Sequence, residues 1–172
     1  MKAAAKRGDI ELAYVDETGF AQAHPNRSAW TQRGECHAIE ARRGKRLNLV
    51  GALLSSGRLF AAKLWRTMTA PLFAGFLGLL MEQVNKPLVV ILDNASVHTG
   101  KAINPLLDVL RQRGLRLYFL PPYSPELNRI EKLWHQMKYQ WLAFKARDVG
   151  TLEADIDSIL DGFGEKYGFS FY

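Results

Sequence analysis

The feature that most constrains the fold is an uninterrupted apolar run, Leu88–Leu92, which follows Pro87 and ends at Asp93. A short run without polar alternation is typical of a central strand that is buried on both faces. Such a strand needs an apolar layer above it and another below it, and in a chain of 172 residues helices can supply both layers. The run therefore predicts an α/β protein.

The other patterns supply the elements around that strand. A strand leads into Asp16, and an irregular polar stretch follows from Gly19 to Gly44. Two apolar segments joined by Ser55-Ser56-Gly57-Arg58 predict a hairpin. The remaining predicted elements are a helix from Thr69 to about Val84, a helix from about Ala102 to Arg113 closed by Gly114, a strand over Leu115–Leu120, a helix from Ser124 to about Phe144, and a helix from Thr151 onward. This order predicts one domain over residues 1–172, a mixed five-stranded sheet with helices on both faces.

Charge and cysteine content narrow the class of protein. The net charge is +6, and acids concentrate at the end, so residues 1–147 carry 22 basic and 11 acidic side chains. A basic body fits a polyanionic partner, although an ordinary solvated basic surface would have the same composition. The single cysteine excludes an internal disulfide and favours a reducing cytoplasm. A signal peptide and a membrane span are not expected, because the N-terminal residues are few and polar and no apolar stretch reaches membrane length.

Two acids follow strands that are predicted to lie in the centre of the sheet, Asp16 and Asp93. Either one alone is more often a structural cap for the next turn. Together they would place two oxygen ligands on one edge of the sheet, where open α/β sheets bind their ligands. Carboxylate oxygens without nitrogen or sulfur donors suit Mg²⁺ or Mn²⁺ better than Zn²⁺.

A third acid, Glu131, lies on the helix predicted after Ser124. Helical spacing places it on one polar face with Asn128, His135 and Lys138. A solvated helix face and a third metal ligand both fit this pattern, and the spacing alone does not choose between them.

One string is far more specific than these patterns: Tyr123-Ser124-Pro125-Glu126-Leu127-Asn128-Arg129-Ile130-Glu131. It closely resembles the third-acid segment of the DDE superfamily of transposases, in the mariner-like branch that includes bacterial insertion sequences. Two other blocks agree with the family, Val15-Asp16-Glu17-Thr18-Gly19-Phe20 and Leu92-Asp93-Asn94-Ala95-Ser96-Val97-His98. The resemblance extends from about Ile10 to the last helix.

The resemblance implies a ribonuclease H-like fold in which Asp16, Asp93 and Glu131 hold two Mg²⁺ or Mn²⁺ ions. Asp16 would bridge both ions. Two metals about 3.5–4 Å apart activate the nucleophile and stabilise the leaving oxygen of a phosphodiester. The implied activity is cut-and-paste transposition, in which the enzyme cleaves the element's ends and joins them to target DNA. The implied partners are double-stranded DNA and further copies of the chain, assembled on that DNA at the bacterial nucleoid.

Weaker predictions concern the surrounding residues. Four side chains are expected to orient ligands or contact phosphate from behind the acids: Asn94, His98, Asn128 and His135. A basic run is expected to contact phosphates, with a solvated turn as the alternative: Arg42, Arg43, Lys45 and Arg46. Glu17 follows Asp16 in a strand, so it is expected to point to the opposite face and to be a poor co-ligand.

Full-length relatives in this family carry an N-terminal helix-turn-helix region. Here about nine residues precede the first strand, so that region is expected to be absent and its role to fall to a partner from a split gene. Two other hypotheses stay open. One is a truncated or domesticated remnant that binds DNA without cutting it, and the other is a nuclease acting on RNA–DNA hybrids.

Overall fold

The computed structural model describes residues 1–23, 30, 32–35 and 44–169. The strands are β1 (Glu11–Ala21), β2 (Arg46–Leu54), β3 (Leu59–Leu64), β4 (Leu88–Leu92) and β5 (Arg116–Phe119). The helices are α1 (Lys2–Arg7), α2 (Ala70–Glu82), α3 (Ser96–Thr99), α4 (Asn104–Gln112), α5 (Arg129–Gln136) and α6 (Val149–Asp161), with a 3-10 turn at Pro125–Leu127 and a π-helical segment at Met137–Trp141. None of the helices in these ranges has the length and apolar character needed to cross a membrane.

The strands form one mixed sheet in the order β3-β2-β1-β4-β5. The first three are antiparallel neighbours, whereas β4 pairs parallel with β1 and β5 pairs parallel with β4. Every residue of β4 is buried, as its apolar run predicts. The sheet confirms the predicted five-stranded mixed architecture.

Apolar layers cover both faces of this sheet, which confirms the predicted helices on both sides. One core cluster joins alternate β1 and β2 side chains to α5 and α6, including Trp134 and Ile156. The other joins the intervening side chains to α2 and α4, including Phe73 and Leu107. Because side chains alternate along a strand, the buried apolar residues of β1 divide between the two layers.

The first strand differs from the prediction. β1 does not end at Asp16, because β2 pairs with it from Ala13 opposite Leu54 to Ala21 opposite Arg46. The parallel partner β4 pairs only with the first half of β1, from Glu11 to Tyr14. Asp16 therefore lies inside a strand, just beyond the point where parallel pairing stops.

The predicted helix from Ser124 to Phe144 was also wrong as a single element. Asn128 has an extended backbone (φ −87, ψ 100), and it separates the 3-10 turn from α5. The helix then widens into the π-helical segment and ends before Leu142. Asn128 is the residue that precedes the helix, so it does not share a helical face with Glu131.

Two other helices differ at their ends. α6 begins at Val149, earlier than the predicted Thr151, because the Asp148 carboxylate accepts a hydrogen bond from the Thr151 amide at 2.7 Å and caps the first turn. α4 begins at Asn104, and Gly114 follows it with φ 98, the left-handed conformation that closes many helices. The short helices α1 and α3 had not been predicted.

A close approach between β2 and α5 depends on Gly51. Gly51 lies opposite Asp16 in the sheet, and the buried Trp134 ring lies directly over it. A Cβ atom at Gly51 would lie 2.5 Å from Trp134 Cη2, far inside van der Waals contact. Glycine at this position therefore sets the distance of α5 from the sheet, and with it the position of Glu131 one turn earlier.

We expect Gly51→Ala to lower the free energy of unfolding by about 1–3 kcal/mol, because Trp134 has no room to move aside. Urea unfolding followed by tryptophan fluorescence measures the change. Gly75→Ala is the matched control: it is an exposed helical position whose Cβ would meet nothing within 4 Å. That variant should gain about 0.5–1 kcal/mol. Equal stability of Gly51→Ala and the parent protein would contradict the packing argument.

Candidate active site

The parallel pairing of β1 and β4 brings two acids level with each other. Leu12 pairs with Val89 and Tyr14 pairs with Ile91, and extending this register by two residues places Asp16 beside Asp93. Neighbouring strands are about 4.8 Å apart, so the two side chains begin from adjacent backbones. Asp16 is buried, whereas the Asp93 side chain is 51% exposed.

The third acid is tied to the same place through Asn128. The buried Asn128 side chain donates from Nδ2 to the carbonyl of Val15 at 3.1 Å, one residue before Asp16. The backbone carbonyl of Asn128 accepts a hydrogen bond from the backbone amide of Glu131 at 3.1 Å. These two bonds hold the start of α5 against β1, so the exposed Glu131 lies near Asp16.

Asp93 and Glu131 face a common cleft of about 380 Å³. Asn94 and Asn128, which were predicted to lie behind the acids, also line it. The remaining wall is the Leu120–Pro125 loop. The cleft is therefore built by the end of β4, the start of α5 and the loop between β5 and α5.

Burial and like charge make Asp16 an unusual carboxyl group. Burial, then the charges of Glu131 and Glu17, and finally that of Asp93 raise its pKa to about 8, although a hydrogen bond to the Glu17 backbone opposes them. Negative charge at Asp16 is thus disfavoured unless a cation approaches. The same interactions show that Glu131 and Asp93 lie close enough to repel it.

One oxygen of Asp93 is held by two partners. Asp93 Oδ1 accepts from the amide of Ala95 at 3.0 Å and lies 2.7 Å from Nδ1 of His98. His98 is completely buried, and its other nitrogen, Nε2, lies 3.1 Å from Oε1 of Glu17. Burial alone would lower the pKa of His98, but the hydrogen bond and charge of Glu17, followed by those of Asp93, raise it.

Glu17 behaves as predicted in one respect and differently in another. Consecutive strand residues point to opposite faces, so Glu17 leaves the face of Asp16. The contact with His98 was missed, because these residues are 81 positions apart and no local pattern links them. His98 itself lies behind the acids, as the sequence analysis expected.

Basic side chains lie close to the acids. Burial and the charge of Arg46 lower the pKa of Lys138, whereas Glu131 and Asp16 oppose them, so all four groups lie near one another. Arg46 is exposed at the start of β2 with Lys45 beside it. Two further residues of the predicted basic run, Arg42 and Arg43, lie outside the described residues.

Three other residues lie on the elements and loops around the acids. The Asn94 amide donates to the carbonyl of Leu120 and so joins the ends of β4 and β5. His135 is exposed on α5 and packs against Tyr139 with ring centroids 4.7 Å apart. The sequence analysis did not single out Tyr123, which lines the cleft, is fully exposed and has φ 57, where most side chains are strained.

The raised pKa of Asp16 makes a prediction about stability. Because the folded protein disfavours ionised Asp16, the free energy of unfolding falls as pH rises. The loss is absent below the unfolded pKa of 3.8 and complete above about pH 8. We expect Asp16→Asn, which removes that charge, to raise the Tm at pH 8.5 in the presence of a chelator and to leave it nearly unchanged at pH 4. Thermal unfolding followed by circular dichroism at both pH values tests this. An Asp16→Asn variant that is less stable at pH 8.5 would contradict it.

Solved structures with the same fold include the Mos1 mariner paired end complex with Mn, at a TM-score of 0.70 and 19% identity, covering 96% of this chain and 53% of that chain. The catalytic core domain of BIV integrase matches at a TM-score of 0.55 and 20% identity, covering 94% of this chain and 87% of that chain. The fold is therefore that of the ribonuclease H-like transposase and integrase cores. This chain spans about half the length of the Mos1 chain.

The sequence also matches a curated relative and a family model. A curated relative, the uncharacterized protein y4pE/y4sA of Sinorhizobium fredii, is 44% identical over 55 residues, which is 32% of this chain and 36% of that protein. The family model described as DDE superfamily endonuclease matches residues 11–153, a range that contains all three acids. The chain belongs to the DDE superfamily endonuclease family.

Proposed function

We propose that this chain cleaves DNA and transfers the cut strand as the catalytic domain of a transposase. The proposed catalytic residues are Asp16, Asp93 and Glu131. The observation that carries the proposal is the environment of Asp16: it is buried, and the charges of Glu131 and Asp93 raise its pKa, in a chain of the DDE endonuclease family. Clustered like charges weaken a fold, so such a cluster indicates a functional requirement for a cation.

The residues present suit two Mg²⁺ or Mn²⁺ ions. The three carboxylates supply hard oxygen ligands, which these cations prefer. The buried Asn128 Oδ1 has no hydrogen-bond partner and lies on an element that lines the same cleft, so it adds an orphaned oxygen there. Among the described residues, no three acidic, histidine or cysteine side chains lie close enough together to hold an ion. The proposal therefore requires the carboxylates to draw closer when a cation binds.

Each acid has a distinct part in this proposal. Asp16, the central and most buried carboxylate, would be shared between both ions. Asp93 would complete one site with the oxygen that neither Ala95 nor His98 holds, and Glu131 would complete the other from α5. The bound ions would supply an activated hydroxyl and a stabilised leaving oxygen for in-line displacement at phosphorus.

The proposed substrate is double-stranded DNA, first the ends of a mobile element and then its target. Three observations support this: the basic body of the chain, the cations Arg46 and Lys138 beside the acids, and the fold shared with a Mos1 paired end complex. We further propose that copies of the chain assemble on DNA and that a separate protein supplies end recognition. The bacterial nucleoid would be the place of action. No observation favours a remnant that binds DNA without cutting it, and the sequence retains all three acids.

Asp93→Asn should abolish nicking of DNA that depends on Mg²⁺ or Mn²⁺, because the amide cannot supply the negative oxygen. A supercoiled plasmid with each cation, and with a chelator, gives the measurement on agarose gels. Asp108→Asn is the matched control, since Asp108 is an exposed acid on α4 paired with Arg111. Undiminished nicking by a folded Asp93→Asn variant would rule out the proposed site.

Arg46→Gln should weaken DNA binding about equally for all sequences and reduce the slope of log K against log [salt] by about one. The reason is that one phosphate contact, and the counterions it releases, would be lost. Fluorescence anisotropy with a labelled duplex over a range of KCl concentrations gives the slope. Arg113→Gln removes the same charge at the exposed end of α4 and should leave the slope nearly unchanged. Identical slopes for both variants would contradict a phosphate contact at Arg46.

A further inference from the structure

Glu17 follows Asp16 in β1, and its side chain points to the opposite face of the sheet. It lies opposite Val50 in the sheet, on the face that packs against α2, and 21% of its side chain is exposed. Geometry excludes it as a direct neighbour of the Asp16 carboxylate on the same face. Its Oε1 instead lies 3.1 Å from Nε2 of His98.

Packing holds the His98 ring in place, and the partners of its two nitrogens set its orientation. Its ring is completely buried and lies 4.4 Å, centroid to centroid, from the ring of Phe73 on α2. Its amide donates to the carbonyl of Ala95 at 2.9 Å, which anchors the backbone of α3. Because the ring is rigid, a change in the contact of Nε2 with Glu17 alters the contact of Nδ1 with Asp93.

The far nitrogen of that ring reaches the proposed metal ligand. Nδ1 lies 2.7 Å from Oδ1 of Asp93, and Oδ1 also accepts from the Ala95 amide. Two donors on one oxygen fix the torsion of the carboxylate. Its other oxygen, Oδ2, is therefore presented in one direction, although half of the Asp93 side chain is exposed.

We infer that Glu17 is a positioning residue, which through the buried His98 ring fixes the orientation of the Asp93 carboxylate for a divalent cation. The inference rests on the proposed function, and it concerns a residue that contacts neither the cation nor DNA. Groups that hold a ligating side chain from behind contribute roughly 10–100-fold to metal affinity. The chain of contacts runs from Glu17 through His98 to Asp93.

Isothermal titration of the full chain with Mn²⁺ alone tests this without relying on activity. We expect Glu17→Ala to weaken Mn²⁺ binding about 10-fold or more, because His98 loses the partner that sets its orientation. Glu17→Gln should restore most of the affinity, because its amide oxygen still accepts from Nε2. Glu126→Ala, which removes an exposed acid next to the cleft-lining Pro125, should bind Mn²⁺ nearly as the parent protein does.

Two results would overturn the inference. Parent-like affinity in Glu17→Ala would show that the contact does not matter. Equal loss in Glu17→Ala and Glu17→Gln would show that the negative charge acts, and not the hydrogen bond to His98. Cooperative thermal unfolding of each variant with a chelator present checks that the fold is retained, and Glu17→Gln keeps the size of the side chain.

A double-mutant cycle tests the route through His98. If Glu17 acts through the ring, Glu17→Ala should cause no further loss in a His98→Asn background, because the link is already broken. Full additivity of the two losses would overturn the route. If the parent protein itself binds no Mn²⁺ and nicks no DNA, the proposed function fails; if it does both and Glu17→Ala matches it, only the positioning inference fails.

Discussion

The parallel pairing of β1 with β4 is the interaction on which the site depends. It stops at Tyr14, and among the described residues β2 is the strand that pairs with the second half of β1. This creates an opening in the sheet at the level of Asp16, and the chain leaving β4 turns away there at Asp93. Both acids therefore lie where two strands separate, which is the place where an open α/β sheet accepts a ligand.

The third acid, Glu131, lies near that opening because Gly51 allows α5 to pack closely on the sheet. Gly51 lets the Trp134 ring rest on β2, and Asn128 ties the start of the helix to Val15. Packing and a buried hydrogen bond thus bring Glu131 towards a carboxylate that repels it. The fold accepts a cost at Asp16 in the metal-free state, as proteins do where function requires local instability.

The sequence predicted the features that depend on local patterns. The apolar run of β4, the hairpin turn around Gly57 and the closing Gly114 each follow from residue type and spacing, and the structure confirms them. The sequence also indicates three acids as candidate metal ligands. Asp16 and Asp93 followed from strand patterns together with the family resemblance, and Glu131 followed mainly from the resemblance.

The errors arose where distant parts of the chain decide local structure. β1 runs past Asp16 because β2, some 30 residues later, supplies hydrogen bonds to it, as in the pair Thr18 and Leu49. The break at Asn128 exists because its side chain donates to a carbonyl 113 positions away. The contact between Glu17 and His98 has the same character. Each depends on tertiary pairing, which composition and periodicity do not encode.

The acidic end of the chain acquires a meaning that its composition alone does not give. Glu153 and Asp157 of α6 bind Lys63 of the edge strand β3 at 2.8 and 2.6 Å, and Asp155 binds Arg147 at 2.7 Å. Glu153 and Asp157 are thus directed to the antiparallel edge of the sheet, where charged side chains also discourage further strand pairing.

The site lies at the carboxyl end of β4, where Arg46 and Lys138 approach the acids. A polyanion would be repelled from the acidic helix and attracted towards these cations. Under the proposed function, the uneven charge of the sequence would become a direction of approach, in which phosphates meet basic side chains first and the carboxylates next. A cation held by those carboxylates would strengthen this attraction.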